Sequence, residues 1–426
     1  MASPAPPDLE AVLPQPAKLN DHGPSGRQLS LGSPVPEDAG RAETIRLRWT
    51  PSRVTTVRVL VVNPGSSSLK LSLIGPTDAL ECGVNLSGDS LQTTNLRKAI
   101  DDFLANAEDP EGLGVRFVHG GPRLRSSVVL NEAVVAEIET NSYLAPLHDP
   151  AALRALRACQ SLRPKLPAVA CFDTAFHRDL PLAARTYALP LEWTLDGVVQ
   201  RYGFHGLSHA WTTRRVAELA GGSSPPRRLV TAHLGAGASL AAVLDGRSID
   251  TTMGFTPMEG LVMATRSGSV DPGAVIAIAR RLNLDLDQLE AGLNNRSGLA
   301  GLSGIPGGDM RAVLEAEHAG SAAAHLAIEV YCHRLRALSA AMAAALGGLD
   351  AMAFTGGVGE GSAEIRRRVS EPLSFLGVVL DLTRNEAIDE SDAEVGTPGA
   401  PVRVFVVHAR EDLEIARETR AVLGAP

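Results

Sequence analysis

Val57-Arg58-Val59-Leu60-Val61-Val62-Asn63-Pro64-Gly65-Ser66-Ser67-Ser68-Leu69-Lys70 passes from an aliphatic, β-branched run through a turn of small residues into a second apolar run. A variant returns far downstream as Leu229-Val230-Thr231-Ala232-His233-Leu234-Gly235-Ala236-Gly237-Ala238-Ser239-Leu240. A Gly/Ser turn leaves backbone N–H groups and hydroxyls open to an approaching anion, where bulkier side chains would block it. Either hairpin alone reads equally well as an ordinary turn. Their pairing predicts two related halves that face one phosphorylated ligand. A third stretch, Ala351-Met352-Ala353-Phe354-Thr355-Gly356-Gly357-Val358-Gly359-Glu360-Gly361-Ser362, leads an apolar strand through glycines into a helical pattern over Ala363 to Val369. Strand, glycine turn and helix N-terminus together make an anion or nucleotide site from backbone dipoles.

With 426 residues, 44% hydrophobic and 21% charged, the chain has the balance of a soluble protein and the length for two domains. Its formal net charge of −8 argues against nucleic acid, which needs an extended basic face. Cys82, Cys159, Cys171 and Cys332 form no CxxC pair, so neither a disulfide framework nor a zinc knuckle is indicated. No apolar run reaches bilayer length and the N-terminus lacks the pattern of a signal peptide, so a cytoplasmic location is expected. Residues 1–55, rich in Pro, Gly, Ser and acidic types, read as a disordered extension. The basic residues are nearly all arginine, Lys18, Lys70, Lys98 and Lys165 being the lysines, and Lys70 lies just past the first turn. It suits phosphate as a point charge and equally suits a solvated surface.

From Leu73 to Gly112 the chain is polar and poorly patterned. Gly114 to Gly121 then reads as a strand interrupted by Arg116, which either snorkels to the surface or meets a carboxylate. Asp149-Pro150 reads as the cap of a helix with apolar spacing at Leu153, Leu156 and Leu162. Pro167 to Asp173 reads as a strand ending in a carboxylate, the place where open α/β sheets put ligand chemistry. His205 falls among turn residues, where a histidine is most often a structural hydrogen-bonder. Later come a strand near Ser248 to Thr251, a helix opened by Asp271-Pro272, and a long alanine-rich helix from about Ala322 to Leu346. Leu326, Val330, Leu335 and Leu338 supply that helix's expected core stripe. A strand over Val402 to Val407 and a helix from Glu411 close the chain. The order implies duplicated α/β domains with a cleft between them.

The segments Asn63-Pro64-Gly65-Ser66-Ser67-Ser68-Leu69-Lys70, Arg116-Phe117-Val118-His119-Gly120-Gly121, Pro146-Leu147-His148, Phe172-Asp173-Thr174-Ala175-Phe176-His177, Tyr202-Gly203-Phe204-His205-Gly206, His233-Leu234-Gly235 and Thr256-Pro257-Met258-Glu259-Gly260 resemble the acetate kinase family. Ser297-Gly298, Asp309-Met310-Arg311, Gly357-Val358-Gly359-Glu360 and Glu411-Asp412-Leu413 continue the resemblance in the family's order. It implies two ribonuclease-H-like domains of the acetate and sugar kinase, Hsp70 and actin architecture, closing around ATP. Expected bounds are 56–178 plus 409–426 for the first domain and 179–408 for the second. It also implies reversible phosphoryl transfer from ATP to acetate, giving acetyl phosphate, usually in a homodimer.

The resemblance assigns Arg116 to the substrate carboxylate and the transferring group, and Arg266 and His205 to the equatorial phosphoryl oxygens. It matches Asn63 and Glu411 to a magnesium site, manganese being the alternative ion. Asp173 matches the family's active-site carboxylate. Acetate is already ionised near neutral pH and needs no general base, so Asp173 is expected to orient the metal, its waters or an arginine. Lys70, His233, Leu234, Gly235, Ala236, Gly237, Asp309, Met310, Arg311, Gly357, Val358, Gly359, Glu360 and Gly361 match nucleotide-binding positions. Val118, Leu147, Phe204 and Pro257 match a small apolar pocket for the acyl methyl. Departures are Ala236 and Gly361 where the family usually has asparagine, Asp149 in place of the asparagine after His148, and a shorter stretch between Leu73 and Gly114. The alternatives are a propionate kinase of the same mechanism and a nucleotide-binding regulatory protein that has lost transfer.

Overall fold

Two six-stranded sheets repeat one topology. The computed structural model describes residues 57–65, 68–146, 148–194, 197–221 and 225–424, so the extension over 1–55 and the pocket residue Leu147 lie outside the described residues. The first sheet contains β1 (Val59–Pro64), β2 (Ser68–Ile74), β3 (Leu80–Ser87), β4 (Gly112–Phe117), β5 (Val128–Val129) and β6 (Ala168–Phe172). The second contains β7 (Arg228–Leu234), β8 (Ala238–Leu244), β9 (Arg247–Thr251), β10 (Ala351–Thr355), β11 (Ala393–Glu394) and β12 (Arg403–Val406). Their orders are β3-β2-β1-β4-β6-β5 and β11-β12-β10-β7-β8-β9. Each begins with three antiparallel strands; β1 then pairs parallel with β4 and β4 with β6, as β7 does with β10 and β10 with β12. The repeated hairpin seen in sequence is therefore the start of a repeated unit.

The central strands are covered on both faces, which is why they read as unbroken apolar runs. Val59, Val61 and Val169 of the first sheet and Leu229, Ala241, Ala351 and Ala353 of the second belong to one core. Between them lie Leu207, Trp211 and Val216 of the helix Gly206–Leu219, and Leu413, Ile415 and Ala416 of the helix Glu411–Gly424. At Gly114 of β4 an added Cβ would fall 2.4 Å from the Thr419 Oγ1 and 2.7 Å from the Ile415 Cγ2. Only glycine lets the terminal helix lie this close to the strand.

Four local expectations are corrected. The stretch from Leu73 to Gly112 holds β3 and the helix Thr93–Ala105. Its signal is weak because β3 is largely exposed and the helix buries only a narrow line of Leu96, Ile100 and Leu104. The long helix spans Ala322–Ala345, yet Leu326 is 55% exposed and its buried line runs through Ala324, Ile328, Tyr331, Leu335, Ser339 and Met342. Leu335 is buried as expected and Val330 and Leu338 pack, partly buried, against the same core, so of the expected stripe it is Leu326 that turns to solvent. Asp149 does not cap its own helix: His148 is the cap residue, and the Asp149 Oδ1 accepts the Val118 N–H at 2.9 Å. Finally, Gly356–Gly361 is a helical turn, and a second helix, Ala363–Ser370, begins after Ser362, whose hydroxyl accepts the Ile365 N–H at 3.2 Å.

Candidate active site

The parallel strands of both sheets end at a common place, and the chemistry-bearing residues sit on those ends, as strand dipoles and loop freedom favour in open α/β sheets. Asn63 lies near the end of β1, Arg116 near the end of β4, and Asp173 directly after β6. Asp173, with no exposure, takes a two-pronged bond from Arg116, Nε to Oδ1 at 2.9 Å and Nη2 to Oδ2 at 2.6 Å. The Arg116 Nη1 donates to the Asn63 Oδ1 at 3.0 Å and lies 3.4 Å from the Glu411 Oε2, which accepts from the Asn63 Nδ2 at 2.9 Å. Sequence left two readings of Arg116 open; the structure selects the carboxylate partner. Burial works to raise the Glu411 carboxyl, but Arg116, His233 and Asn63 outweigh it and hold the group below its usual range. At Asp173 burial prevails over Arg116 and the carboxyl is raised.

His205 precedes the helix Gly206–Leu219 in the left-handed region, at φ 56°, a conformation costly for a non-glycine residue and held here by its surroundings. The Gly206 N–H donates to the Asp173 backbone carbonyl at 2.9 Å, so the helix start is tied to the main chain beside the carboxylate. His205 stacks on His233 at 4.3 Å between ring centroids. Burial first, then the neighbouring histidines and Arg116 and Arg266, holds its pKa well below normal, so it acts as a neutral ring. Its Nδ1 lies 2.9 Å from the Ser239 Oγ, which lies 2.8 Å from the His209 Nε2, and the His209 Nδ1 lies 2.7 Å from the Thr231 Oγ1. These contacts are satisfied in either direction, and with Thr231 donating to His209, His209 to Ser239 and Ser239 to His205 the proton of His205 is on Nε2. That nitrogen is near Gly237, where an added Cβ would be 3.1 Å from it and 3.5 Å from the Arg266 Nη1. Arg266 donates to the Pro257 carbonyl at 3.1 Å, and among the described residues it forms no ion pair.

Three contributors were missed by sequence reasoning. Ser239 holds the Nδ1 side of His205 and His209 holds Ser239; their only signal was a histidine at a helix position and a serine at a strand position. His148 was quoted as part of a motif without a role. Burial, followed by the charges of Arg116 and Arg266, lowers its pKa to about 4, which places a neutral imidazole beside both arginines.

The expected acyl residues Val118 and Phe204 are buried in one cluster with Ala145, while Pro257 contributes its carbonyl to Arg266. On the nucleotide side, the turn Gly235 to Gly237 joins β7 to β8, and Gly356 packs so tightly on Leu234 that a Cβ would lie 2.8 Å from the Leu234 carbonyl oxygen. Other matched positions serve the framework. Asp309 spends its carboxylate on the Arg311 and Ala312 N–H groups, both at 3.1 Å, Met310 is core, and Arg311 is exposed. Glu360 accepts from the N–H groups of Gly356 at 2.7 Å and Ala409 at 2.9 Å, tying the glycine turn to the approach of the last helix. Gly357 and Gly361 are exposed, and Val358 and Gly359 complete the turn. Lys70 faces Asn63 in register and lies 3.6 Å from the Asp412 carboxylate.

The sequence pattern of the Acetokinase family matches residues 83–417. The acetate kinase of Clavibacter michiganensis subsp. michiganensis is 44% identical over 391 residues, spanning 85% of this chain and 98% of that one. The chain belongs to the acetokinase family. Another acetokinase relative, the acetate kinase of Gloeobacter violaceus, is 48% identical over 316 residues, 74% of this chain and 77% of that one. Among solved structures, Porphyromonas gingivalis acetate kinase superposes with a TM-score of 0.80 at 34% identity, covering 86% of this chain and all (100%) of that chain. A propionate kinase from Francisella tularensis subsp. tularensis gives 0.79 at 35% identity with the same coverages, 86% and 100%. The acetokinase fold, duplicated ribonuclease-H-like α/β units, is the one the repeated sheets display.

Proposed function

We propose that this protein transfers a phosphoryl group reversibly between ATP and acetate, forming acetyl phosphate by direct in-line displacement. The observation that carries the reading is Arg266: a half-buried guanidinium without an ion-pair partner among the described residues, beside the Gly235 to Gly237 turn and the Nε2 of a neutral His205. A cation so placed suits an anion brought by the reaction. The acceptor carboxylate is ionised at neutral pH, so the chain's task is to hold two anions in line and neutralise the equatorial oxygens. Arg116, clamped by Asp173, keeps a fixed orientation for the acceptor carboxylate. Asp173 thus serves as a positioning group for an arginine rather than as a base.

Asn63, Glu411 and Asp173 offer oxygen donors of the kind a hard divalent cation takes, and Glu411 is held ionised, so the set fits magnesium or manganese. Bound with the nucleotide there, the ion would neutralise phosphate oxygens. Val118, Phe204 and the Leu147 position match a pocket for a short acyl chain, and propionate is its near competitor, since one methylene changes discrimination by only ~1–3 kcal/mol.

The domain bounds 56–178 plus 409–426 and 179–408 are supported by the packing of the terminal helix on β1, β4 and β6. A homodimer is supported by the helices Pro272–Leu282 and Leu286–Asn295, which bury no residue and leave Ile276, Leu282 and Leu286 exposed. No helix among the described residues is long and apolar enough to cross a membrane, which accords with a cytoplasmic enzyme. The deciding experiment incubates the protein with ATP, magnesium and either acetate or propionate and traps acyl phosphate with hydroxylamine. Hydroxamate above blank, greater with acetate, is expected. Its absence with both acids overturns the reading in favour of a nucleotide-binding protein.

A further inference from the structure

Two family-like segments have ends that the active site does not use: His119-Gly120-Gly121 beyond Val118, and Arg201-Tyr202 ahead of Phe204 and His205. They meet at a small cavity of about 30 Å³ whose lining includes Gly121, Arg125, Thr174, Arg178, Arg185 and Arg201. We infer that this cavity is a second, non-catalytic anion site, which takes a compact oxyanion, phosphate or carboxylate, between Arg125 and Arg185.

Among the described residues four guanidinium groups line the cavity and no carboxylate does. Two of them are already neutralised or partly so. Arg201 pairs with Glu259 at 2.8 Å and donates to the carbonyls of Thr251, Thr252 and Met253, while Arg178 lies 3.8 Å from Asp179, both side chains being half exposed. Arg125 donates only to a backbone carbonyl, that of Arg178. Arg185 has neither a hydrogen bond nor an ion pair from its side chain among the described residues, although its residue is partly buried. His177 adds no charge: its nitrogens face the Ser248 hydroxyl at 2.7 Å and the Phe204 carbonyl at 3.1 Å, and burial lowers its pKa to about 4. Planar guanidinium forks around a concave surface favour an oxyanion over a chloride ion, because they satisfy two oxygens at once. The enclosed space, about that of two waters, takes one oxyanion group at a time and excludes a nucleotide.

The site would couple to acyl transfer through covalent neighbours. Thr174 follows Asp173 and accepts the Gly120 N–H at 3.3 Å, two residues from Val118, and the Phe204 carbonyl is held by His177. An anion bridging Arg125 to Arg185 ties the segment after β4 to the segment leading to His205. This coupling rests on the acyl kinase reading; the binding itself does not.

The test is calorimetric titration of the full-length protein with inorganic phosphate, pyrophosphate and succinate against chloride at matched ionic strength. Wild type, Arg125→Ala, Arg185→Gln and Arg266→Ala are compared. Phosphate or pyrophosphate is expected to bind if the natural anion is phosphoryl, and succinate if it is a carboxylate. Either binding should persist in Arg266→Ala and weaken at least tenfold in both Arg125→Ala and Arg185→Gln. The latter two should keep kcat with acetate within twofold, which shows them folded. No binding by any of the three anions overturns the inference. So does binding that is lost in Arg266→Ala and kept in Arg185→Gln, because it puts the anion in the catalytic cleft. Calorimetry reads without turnover, so an inactive kinase and an empty second site give different results.

Discussion

At the scale of single residues, Arg266 and Asp149 carry opposite kinds of electrostatic strain. Arg266 is a cation without an ion pair among the described residues, and the proposed transfer gives it growing charge to meet. Its replacement by alanine should lower kcat by ~10³-fold or more while ATP affinity, read by calorimetry, stays nearly unchanged. Arg266→Lys should rescue poorly because it lacks the planar fork; near-normal turnover in a folded alanine variant would remove this residue from the mechanism. Asp149 is a carboxylate with no exposure, one oxygen bonded to the Val118 N–H and the other without a hydrogen-bond partner among the described residues. Burial, above all, raises its pKa to about 7. Since that lies above the unfolded value, the fold carries no penalty at low pH, and the penalty grows as pH rises toward about 7. Asp149→Asn keeps the acceptor and cannot ionise. It should raise stability by roughly 2–4 kcal/mol at pH 8 and by almost nothing at pH 4, as urea melts at both values would show. Equal effects at the two pH values would mean the carboxyl does not titrate in the fold.

At the scale of elements, the contact of β4 with the terminal helix and the turn between β7 and β8 make contrasting demands. Gly114 has no room for a methyl group against Thr419 and Ile415. Gly114→Ala should therefore destabilise the protein by ~1–3 kcal/mol, the usual cost of overpacking, seen as a lower urea midpoint. An unchanged midpoint would show that the helix can move away freely. Ala236 is exposed at its turn, and its carbonyl accepts the Ala264 N–H at 3.0 Å, so the backbone is fixed while the side chain is open to change. If the missing amide contacts nucleotide phosphate, Ala236→Asn should restore ~0.5–1.5 kcal/mol, a two- to tenfold fall in KM for ATP. Initial rates at varied ATP and acetate separate this from an effect on acyl preference, which should not change.

At the scale of the whole molecule, buried histidines and Asp149 together set the pH dependence of stability. His119 and His177 are almost without exposure, and burial lowers both to about 4. Their folded values lie below the unfolded one, so stability is complete above about pH 6.5 and falls as pH drops toward 4, by ~3 kcal/mol for each ring. Asp149 opposes them over the same range, its penalty being complete by about pH 7, so net stability is expected to rise from pH 4 and to level off above about pH 7. Urea melts from pH 4.5 to 8.5 check this; a flat profile across the acid limb would show that these rings become protonated without unfolding.

Sequence alone determined the duplication, because the strand, small turn and strand pattern repeats, and it placed Asn63 at the first turn, Arg116 within a strand, Asp173 at a strand end, His205 among turn residues and Glu411 at a helix start. It could not determine which groups meet. The pairing of Arg116 with Asp173 and Glu411 joins residues far apart in the chain, and either a solvated arginine or a clamped one fits the same strand pattern. The Thr231, His209, Ser239 and His205 relay was invisible for the same reason: a hydroxyl and an imidazole become partners only when β7, β8 and the helix after His205 pack together. Tertiary structure also decided that the carboxylates of Asp309 and Glu360 accept backbone N–H groups, that Met310 is buried, and that Leu326 of the long helix turns to solvent while Leu335 is covered. Periodicity reports which residues are apolar, while the closeness of neighbouring backbones decides which of them are covered.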